Sequence, residues 1–295
     1  MTQGKIFPAS IESIATERDE RSIGAILIES GRLKPGDAER ILLLQRENGL
    51  RFGDAAVRLG LLTQADIEFA VSRQFDHRYL LSGESRVSEK LFAAYAAAGP
   101  QVEALRALRS QLMLRWFGSD PSRKALAVVS AARNEGRSFI AASLAVVFSQ
   151  LGERTLLIDA DMRNPSQHEL FGLNHRVGLS TVLSGRAGHE AIQRIPSLPD
   201  LSLLPAGAAP PNPLEQLARP LFQQLLNDLT KTFDFVLLDS PATAECTDAQ
   251  TVAARAGAAL VVARKNVTRM AQIRSVFDAV RQVNATVVGT VLNEF

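Results

Sequence analysis

The chain contains one stretch whose residues could bind a phosphate group. Residues 131–138 read AARNEGRS and separate an apolar, β-branched run at 125–130 from a helical pattern with an apolar face, which extends from Ile140 to Leu151. A glycine-containing turn between a strand and a helix directs free backbone N–H groups and the positive end of the helix dipole at one point. The stretch therefore predicts an anion site, in which Ser138 would supply a hydroxyl to a magnesium ion.

This stretch differs from a P-loop at two positions. The pattern G-x-x-x-x-G-K-[ST] would place its first glycine at 131 and its lysine at 137, where the sequence has Ala131 and Arg137. Arginine keeps the positive charge, but its planar fork cannot take the place of a compact ammonium group between β- and γ-phosphates. On this stretch alone, a phosphate site and an ordinary strand–turn–helix connection remain alternatives.

Two further apolar runs end in aspartate. The run LLIDADMR carries Asp159, Asp161 and Arg163, and the run FVLLDSPA carries Asp239. In open α/β sheets the ligand lies beyond the carboxyl ends of the strands, and carboxylate oxygens beside phosphates suit Mg²⁺. An aspartate there could also accept a proton from an attacking hydroxyl. One such aspartate could be a helix cap or a turn residue, but two strands with this ending favour a nucleotide-phosphate site.

Strand and helix patterns alternate from residue 125 onward. Helical patterns, notably Leu214–Thr230 and Met270–Val283, separate the apolar runs. This alternation predicts an α/β domain with a mostly parallel sheet and helices on both faces. The strand candidates are Leu126–Ser130, Thr155–Asp159, Leu201–Pro205, Phe233–Asp239, Ala258–Ala263 and Val287–Asn293.

Residues 21–78 contain an internal repeat. Three residues recur after 29 positions, and the pairs are Gly24 with Gly53, Gly31 with Gly60, and Gln45 with Gln74. Each copy predicts a short helix, a glycine stop and a longer amphipathic helix. Pro35 suits the first turn of one long helix, and Thr63 with Asp66 predicts a capping box on the other. Two helical hairpins predict a small all-α domain, which could be no more than a compact adaptor.

The remaining segments and the composition limit the classes of function. We expect residues 1–20 to form a flexible polar tail and residues 79–102 to form a linker with one loose helix. The net charge of +2 gives no reason to expect nucleic acid or an anionic membrane surface as a partner. The one cysteine, Cys246, fits a reducing compartment. We expect neither a secretory leader nor a membrane span, and hence a soluble, cytoplasmic protein.

The repeat resembles the MshEN-type domain of secretion and pilus-assembly ATPases. Some of those domains bind cyclic di-GMP through two tandem copies of an R-L-G…G…Q motif. The matching residues here are Arg51, Gly53, Gly60 and Gln74 in the second copy, and Gly24, Gly31 and Gln45 in the first. In the first copy, Ser22 stands where the motif has arginine, and Arg32 replaces an apolar residue. The resemblance implies the helical fold and a cyclic di-GMP site at these residues.

Residues 103–295 resemble the bacterial tyrosine kinases of polysaccharide export (BY-kinases), which are relatives of the MinD/ParA P-loop ATPases. Three motifs carry this match: the near-Walker A stretch Ala131–Ser138, a second motif at Leu156–Arg163 and a Walker B stretch at Phe235–Pro241. The spacing of Glu103, Arg106 and Arg109 is similar to the E-x-x-R-x-x-R helix through which these kinases assemble into rings, although such charges are usually a solvated face. With the MshEN-like domain, the motifs resemble the EpsG chain-length-determinant type.

This resemblance implies a cytoplasmic, Mg-ATP-dependent protein-tyrosine kinase that controls the chain length and export of an exopolysaccharide. The kinase would form homo-oligomers and would work with a separate membrane-spanning chain-length regulator. The cytoplasmic tail of that regulator would complete the ATP site and would hold the kinase at the inner membrane.

The resemblance also implies roles for single residues. Asp161 and Asp239 would position Mg²⁺ with Ser138, Asp159 would be the catalytic base, and Arg137 would stand in place of the lysine that neutralises phosphoryl charge. Asn293 would lie near the base of the nucleotide. The residues expected around the phosphates are Ala131, Glu135, Gly136, Arg137, Ser138 and Phe139.

Two other functions remain open at this stage. Because Arg137 replaces lysine and the only tyrosines are Tyr79 and Tyr95, the chain could be a catalytically weak or inactive switch that binds a nucleotide and cyclic di-GMP. If the chain is a kinase, we expect its substrate tyrosines on another protein. A MinD/ParA-type ATPase is the weakest alternative, because the turn begins Ala131-Ala132-Arg133 and lacks the early lysine of that group.

Overall fold

The computed structural model describes residues 22–74, 79–80 and 82–295, and the chain divides into two compact units, Met1–Tyr79 and Leu80–Phe295. The predicted tail at 1–20 lies outside the described residues. Within the described ranges, every helix is too short or too polar to cross a bilayer.

The first unit is all-helical, as the repeat predicts. Each copy has a short helix followed by a longer one, and the four helices are α1 (Ile23–Glu29), α2 (Pro35–Asn48), α3 (Phe52–Arg58) and α4 (Gln64–Gln74). Gly31 and Gly60 follow the two short helices with φ of 71° and 66°, a backbone conformation that favours glycine. The capping box is present, because the Thr63 hydroxyl accepts from the Asp66 N–H while the Asp66 carboxylate accepts from the Thr63 N–H.

The core of this unit explains two of the repeated glycines. Leu27, Ile41, Ala55, Ala56 and Ala70 are completely buried between the helices. A Cβ on Gly24 would lie 3.4 Å from the Phe52 ring, and a Cβ on Gly53 would lie 2.9 Å from the Ile67 side chain. These glycines therefore permit close helix packing, a role that does not require a ligand.

The second unit is built on a seven-stranded sheet. Its strands are β1 (Ala125–Ser130), β2 (Thr155–Asp159), β3 (Gln193–Ile195), β4 (Leu198–Leu204), β5 (Phe235–Asp239), β6 (Ala258–Arg264) and β7 (Thr286–Asn293), in the spatial order β3-β4-β2-β5-β1-β6-β7. All neighbouring pairs are parallel except β3 and β4 at one edge. Every residue of strands β1, β2 and β5 is buried, as expected for central parallel strands.

Helices cover both faces of the sheet, which confirms the predicted fold class. Along β1, Leu126 and Val128 face one hydrophobic cluster, while Ala127 and Val129 face the other. The first cluster includes residues of α5 (Pro100–Arg115), α6 (Arg137–Ser149) and α7 (Gln167–Phe171). The second includes residues of α8 (Leu179–Leu183), α9 (Pro213–Ala218), α10 (Pro220–Thr232), α11 (Asp248–Ala256) and α12 (Met270–Gln282).

One predicted helix is divided in two. The sequence predicts a single helix over Leu214–Thr230, but α9 ends before Arg219 and α10 begins at Pro220. Arg219 has an extended backbone (φ −61°, ψ 145°), because the proline ring disfavours the helical conformation of the residue before it. The sequence also missed the short edge strand β3.

The segment expected to be a linker differs from that expectation. Leu91, Ala93 and Ala94 are completely buried and belong to the same cluster as α5 and α6. Backbone bonds fix the segment as well, since the Leu80 N–H donates to the Ala94 carbonyl over 2.8 Å. Residues 82–99 therefore form part of the second unit, and helix α5 begins at Pro100, three residues earlier than its charged motif suggests.

Candidate functional site

The near-P-loop turn is a tightly bonded connection between β1 and α6. The Glu135 side chain is buried inside it, where it accepts a 2.9 Å hydrogen bond from the Ala132 N–H and another from the Thr268 hydroxyl. Asn134 and Gly136 have φ of 59° and 86°, so the backbone reverses before α6 begins. The Glu135 carboxylate thus helps to hold the loop in shape, and its place in a nucleotide site stays a prediction.

Helix α6 presents its N-terminus at the end of this turn. The N–H groups of Arg137, Ser138 and Phe139 have no acceptor further back in the helix, which is the general condition of a first helical turn, and they lie beside the sheet edge where β1 ends. The backbone donors that the sequence predicts for phosphate binding are therefore present.

The end of β7 lies against the same turn. The Nδ2 of Asn293 donates to the Glu135 carbonyl over 3.2 Å, and a Cβ on Gly136 would overlap that nitrogen. Asn293 and Gly136 are therefore in contact, as the prediction of one nucleotide site at both residues requires.

Strand register brings two of the predicted aspartates together. Asp159 at the end of β2 is the direct partner of Asp239 at the end of β5. Both side chains are completely buried. The carboxylate of Asp159 accepts from the backbone N–H groups of Asp161, Ser166 and Gln167 at 3.2, 3.1 and 3.0 Å.

These surroundings change what we expect of Asp159. Burial, followed by repulsion from Asp239, raises the pKa of Asp159 well above its ordinary value. Since both of its oxygens accept backbone hydrogen bonds, the geometry supports a role in shaping the loop 161–167. The role of catalytic base remains a prediction.

Arg137 forms hydrogen bonds with two of the predicted metal ligands. Its guanidinium is buried and contacts three acceptors: Asp239 Oδ1 from Nε at 3.3 Å, Asp161 Oδ2 from Nη2 at 3.2 Å and Ser130 Oγ from Nη1 at 2.8 Å. Burial raises the pKa of Asp161, and the charge of Arg137 opposes that rise. The side chain is therefore placed as a counter-ion of the carboxylates in this structure.

Gln167 is a site residue that sequence reasoning missed. Its side chain is completely buried, and its Nε2 donates to the Ser138 carbonyl at 3.0 Å and to Asp239 Oδ2 at 2.7 Å. Its Oε1 is buried without a hydrogen-bond partner among the described residues. Only the fold brings the first turn of α7 beside α6, so no local pattern could have indicated this residue.

A cavity of about 930 Å³ adjoins the turn. Its lining includes Phe92, Leu108, Gly136, Phe139 and Asn293, so that it extends from the N-terminus of α6 to the end of β7. A volume of this size is in the range of small-ligand sites, and its mixture of aromatic rings and a carboxamide suits a nucleoside.

The residues present fit a magnesium–nucleotide complex in their donor chemistry. The turn offers backbone N–H groups to phosphate, and Ser138, Asp161 and Asp239 are hard oxygen donors of the kind that Mg²⁺ prefers. Among the described residues, no cluster of three His, Cys, Asp or Glu side chains could hold a metal ion. A metal would therefore depend on two carboxylates, the hydroxyl and phosphate oxygens.

The predicted oligomer residues lie on α5 and make contacts within the chain. Arg106 forms a salt bridge with Glu103 and donates to the Ala97 carbonyl over 2.9 Å, while Arg109 donates to the Val147 carbonyl over 2.6 Å. Glu103 is the most exposed of the three. The two arginines thus attach α5 to its own domain, and a ring contact at these residues remains a prediction.

The residues predicted for cyclic di-GMP lie in the first unit. Arg51 is the exposed N-cap of α3, Gly31 and Gly60 end the short helices, and Gln45 lies on α2. Gly24 and Gly53 pack against Phe52 and Ile67. The side chain of Gln74 lies outside the part of the chain that the structure describes. Binding of cyclic di-GMP at these residues stays a prediction.

The fold and the site together define a class. The first strand of a mostly parallel sheet leads through a glycine-containing turn into a buried helix, and two adjacent strands end in aspartate. This arrangement is the fold of the P-loop NTPase-like proteins. Similarity to known proteins narrows this class, because residues 124–279 match the family described as cellulose biosynthesis protein BcsQ.

The relatives of this chain include proteins named tyrosine-protein kinases. The chain is 34% identical over 192 residues to Wzc of Salmonella typhimurium, covering 65% of this chain but only 26% of Wzc. It is 30% identical over 209 residues to YwqD of Bacillus subtilis, covering 71% of this chain and 87% of YwqD.

Solved structures agree with the sequence relatives. The kinase domain of Escherichia coli ETK matches with a TM-score of 0.67 and 30% identity, covering 75% of this chain and 86% of that domain. The chimerical protein CapA2B2 matches with a TM-score of 0.65 and 30% identity, covering 77% and 98%. The chain therefore belongs to the family of bacterial tyrosine-protein kinases.

Proposed function

We propose that the second unit is an ATP-dependent protein-tyrosine kinase domain of the machinery that controls the chain length and export of an exopolysaccharide. The observation that carries this proposal is the register of β2 with β5, which puts Asp159 and Asp239 side by side next to the N-terminus of α6. The cavity beside Gly136 and Asn293 supplies room for a nucleoside.

The proposed reaction transfers the γ-phosphoryl group of ATP to a tyrosine hydroxyl. A P–O bond to the phenol oxygen forms, the bond to ADP breaks, and the phenolic proton passes to a carboxylate. Bound Mg²⁺ would neutralise phosphate charge. The backbone N–H groups of α6 would hold the phosphates, Ser138, Asp161 and Asp239 would position the metal, and Asn293 would contact the base.

The resemblance to the export kinases extends this proposal to partners. A membrane-spanning chain-length regulator would bring the domain to the inner membrane and complete the nucleotide site with its cytoplasmic tail. The exposed carboxylate of Glu103 would contribute to a ring of identical chains, with Arg106 and Arg109 holding its helix in place. We propose these partners and do not infer them from Wzc, because the match covers only 26% of that protein.

A phosphotransfer assay tests the kinase. Purified full-length chain would be mixed with Mg-ATP and a tyrosine-containing peptide from the cytoplasmic tail of a cognate regulator. We expect phosphotyrosine with the wild type and its loss in Asp161→Asn and Asp159→Asn. Asp234→Asn is the matched control, because Asp234 pairs with Arg154 on the surface. Tight nucleotide binding without transfer would overturn the kinase and support a regulatory switch.

The first unit is proposed as an MshEN-like sensor domain of the EpsG type. Its support is the two-copy helical repeat, together with the exposed arginine at Arg51. A calorimetric titration with cyclic di-GMP would compare the wild type with Arg51→Ala, and Arg46→Ala on the exposed surface of α2 would be the control. No binding by the wild type, or an isotherm unchanged by Arg51→Ala, would remove cyclic di-GMP from the proposal.

A further inference from the structure

The three aspartates of the site are all engaged by protein donors. Each of their six carboxylate oxygens accepts a hydrogen bond: Asp159 from backbone N–H groups, Asp161 from the Asn164 N–H at 2.9 Å and from Arg137, and Asp239 from Arg137 and Gln167. The Arg137 guanidinium lies between Asp161 and Asp239 and bonds to one oxygen of each. A divalent cation that binds both carboxylates would have to share this place with the positive charge of the guanidinium, so the two cations compete.

The identity of residue 137 makes this arrangement specific to arginine. Three different nitrogens of one guanidinium reach Asp239, Ser130 and Asp161, whereas lysine offers all its donors from a single atom. The guanidinium is almost completely buried, so the attraction between the opposite charges is little screened by solvent. A lysine at 137 could not bridge both carboxylates in the same way.

Gln167 provides an independent indication that a ligand enters here. Its Nε2 is fixed by Asp239 and Ser138, yet its Oε1 is buried without a partner among the described residues. An unpaired buried oxygen is unfavourable, and this one could accept a hydrogen bond from a metal-bound water. A cation-bound water beside Asp239 would give this oxygen the donor that it lacks.

We propose that Arg137 is a built-in cation that competes with a divalent metal ion for Asp161 and Asp239, so that the nucleotide-free domain excludes the metal. The proposal rests on the proposed nucleotide site. Phosphate at the α6 N-terminus would attract the guanidinium away from the carboxylates, and the metal would enter the position that Arg137 leaves. Metal binding and nucleotide binding are then coupled through one side chain.

Binding of Mn²⁺ to the nucleotide-free, full-length chain tests this competition. Free Mn²⁺ would be counted by electron paramagnetic resonance for the wild type, Arg137→Met and Arg137→Lys. Arg154→Met is the matched control, since it removes an arginine from an exposed pair with Asp234. We expect Arg137→Met to bind Mn²⁺ about 10- to 100-fold more tightly than the wild type, a change equal in size and opposite in direction to the loss seen when an orienting partner of a metal ligand is removed.

Thermal unfolding gives a second readout. Without Arg137, two buried carboxylates lack their counter-charge, which destabilises the fold. Mn²⁺ should therefore raise the unfolding temperature of Arg137→Met while leaving those of the wild type and Arg154→Met unchanged. Adding Asp161→Asn to Arg137→Met should abolish the gain. If Arg137→Met does not fold, Arg137→Lys decides, since it keeps the charge and should still bind Mn²⁺ more tightly than the wild type.

Equal Mn²⁺ affinity of the wild type and the Arg137 variants would overturn the competition. Neither ATP nor a peptide is used, so the outcome is separate from the phosphotransfer assay. A chain that transfers phosphate but shows equal affinities would refute only the competition. A chain that shows the competition but transfers no phosphate would refute only the kinase.

Discussion

Replacing Gly136 with alanine tests the conformation on which the site depends. Gly136 has φ of +86°, and an added Cβ would overlap Nδ2 of Asn293. The chain offers a matched control in Gly152, which has φ of +80° and no atom within 4 Å of its Cβ position. Both substitutions place alanine in the left-handed region, but only Gly136→Ala forces a neighbour to move.

The two free-energy changes can be separated. A left-handed conformation costs about 1–2 kcal/mol for a residue with a Cβ, and this is the whole effect expected of Gly152→Ala. In Gly136→Ala the Asn293 side chain must also leave the Glu135 carbonyl, which removes about 0.5–1.5 kcal/mol of hydrogen-bond stabilisation. We therefore expect Gly136→Ala to lower the free energy of unfolding by about 1 kcal/mol more than Gly152→Ala does.

Trp116 makes the measurement simple. It is the only tryptophan of the chain, it is buried, and it belongs to the core of the second unit. Its fluorescence during urea unfolding of the full-length chain therefore reports the unit that contains the site. In the Asn293→Ala background the difference between the two glycine variants should shrink, because only the Phe295 ring, 3.2 Å from the Cβ position of residue 136, then remains in close contact. Equal destabilisation by Gly136→Ala and Gly152→Ala in the wild-type background would refute the contact.

Three further predictions concern stability. The first concerns Asp159→Asn, which removes the titration of this carboxyl group. The folded chain holds the Asp159 proton more tightly than the unfolded chain does, so the free energy of unfolding of the wild type should fall relative to that of the variant as the pH rises above about 4. Urea unfolding at several pH values measures this difference. Phe148→Ala should lower the free energy of unfolding by about 3–5 kcal/mol in the same assay at neutral pH. The reason is that Phe148 is completely buried and the centroid of its ring lies 4.4 Å from that of Phe235. A loss below about 1 kcal/mol would contradict this packing. Thr63→Ala removes the capping box and should destabilise helix α4 by about 1 kcal/mol. Hydrogen exchange of the α4 amides should then be faster, and unchanged exchange would contradict the cap.

Much of the fold follows from local patterns. The alternation of apolar runs and helical patterns predicted the parallel sheet, because central strands such as β1 and β5 are buried on both faces and need continuous apolar residues. The repeat predicted two pairs of helices, because glycine stops and the capping box are local signals. Segment 79–102 was harder to predict, since Leu91 and Ala93 become core residues only through distant neighbours.

The sequence by itself determined which chemical groups stand at the ends of the strands. Motif spacing placed Asp159, Asp161 and Asp239 beside the turn, and parallel strands bring their carboxyl ends to one edge. Only the tertiary structure decided how those groups pair. Arg137 lies on Asp161 and Asp239, and Gln167 fixes the remaining oxygen of Asp239, because a buried charge is bound by whichever donors the folded chain brings within reach.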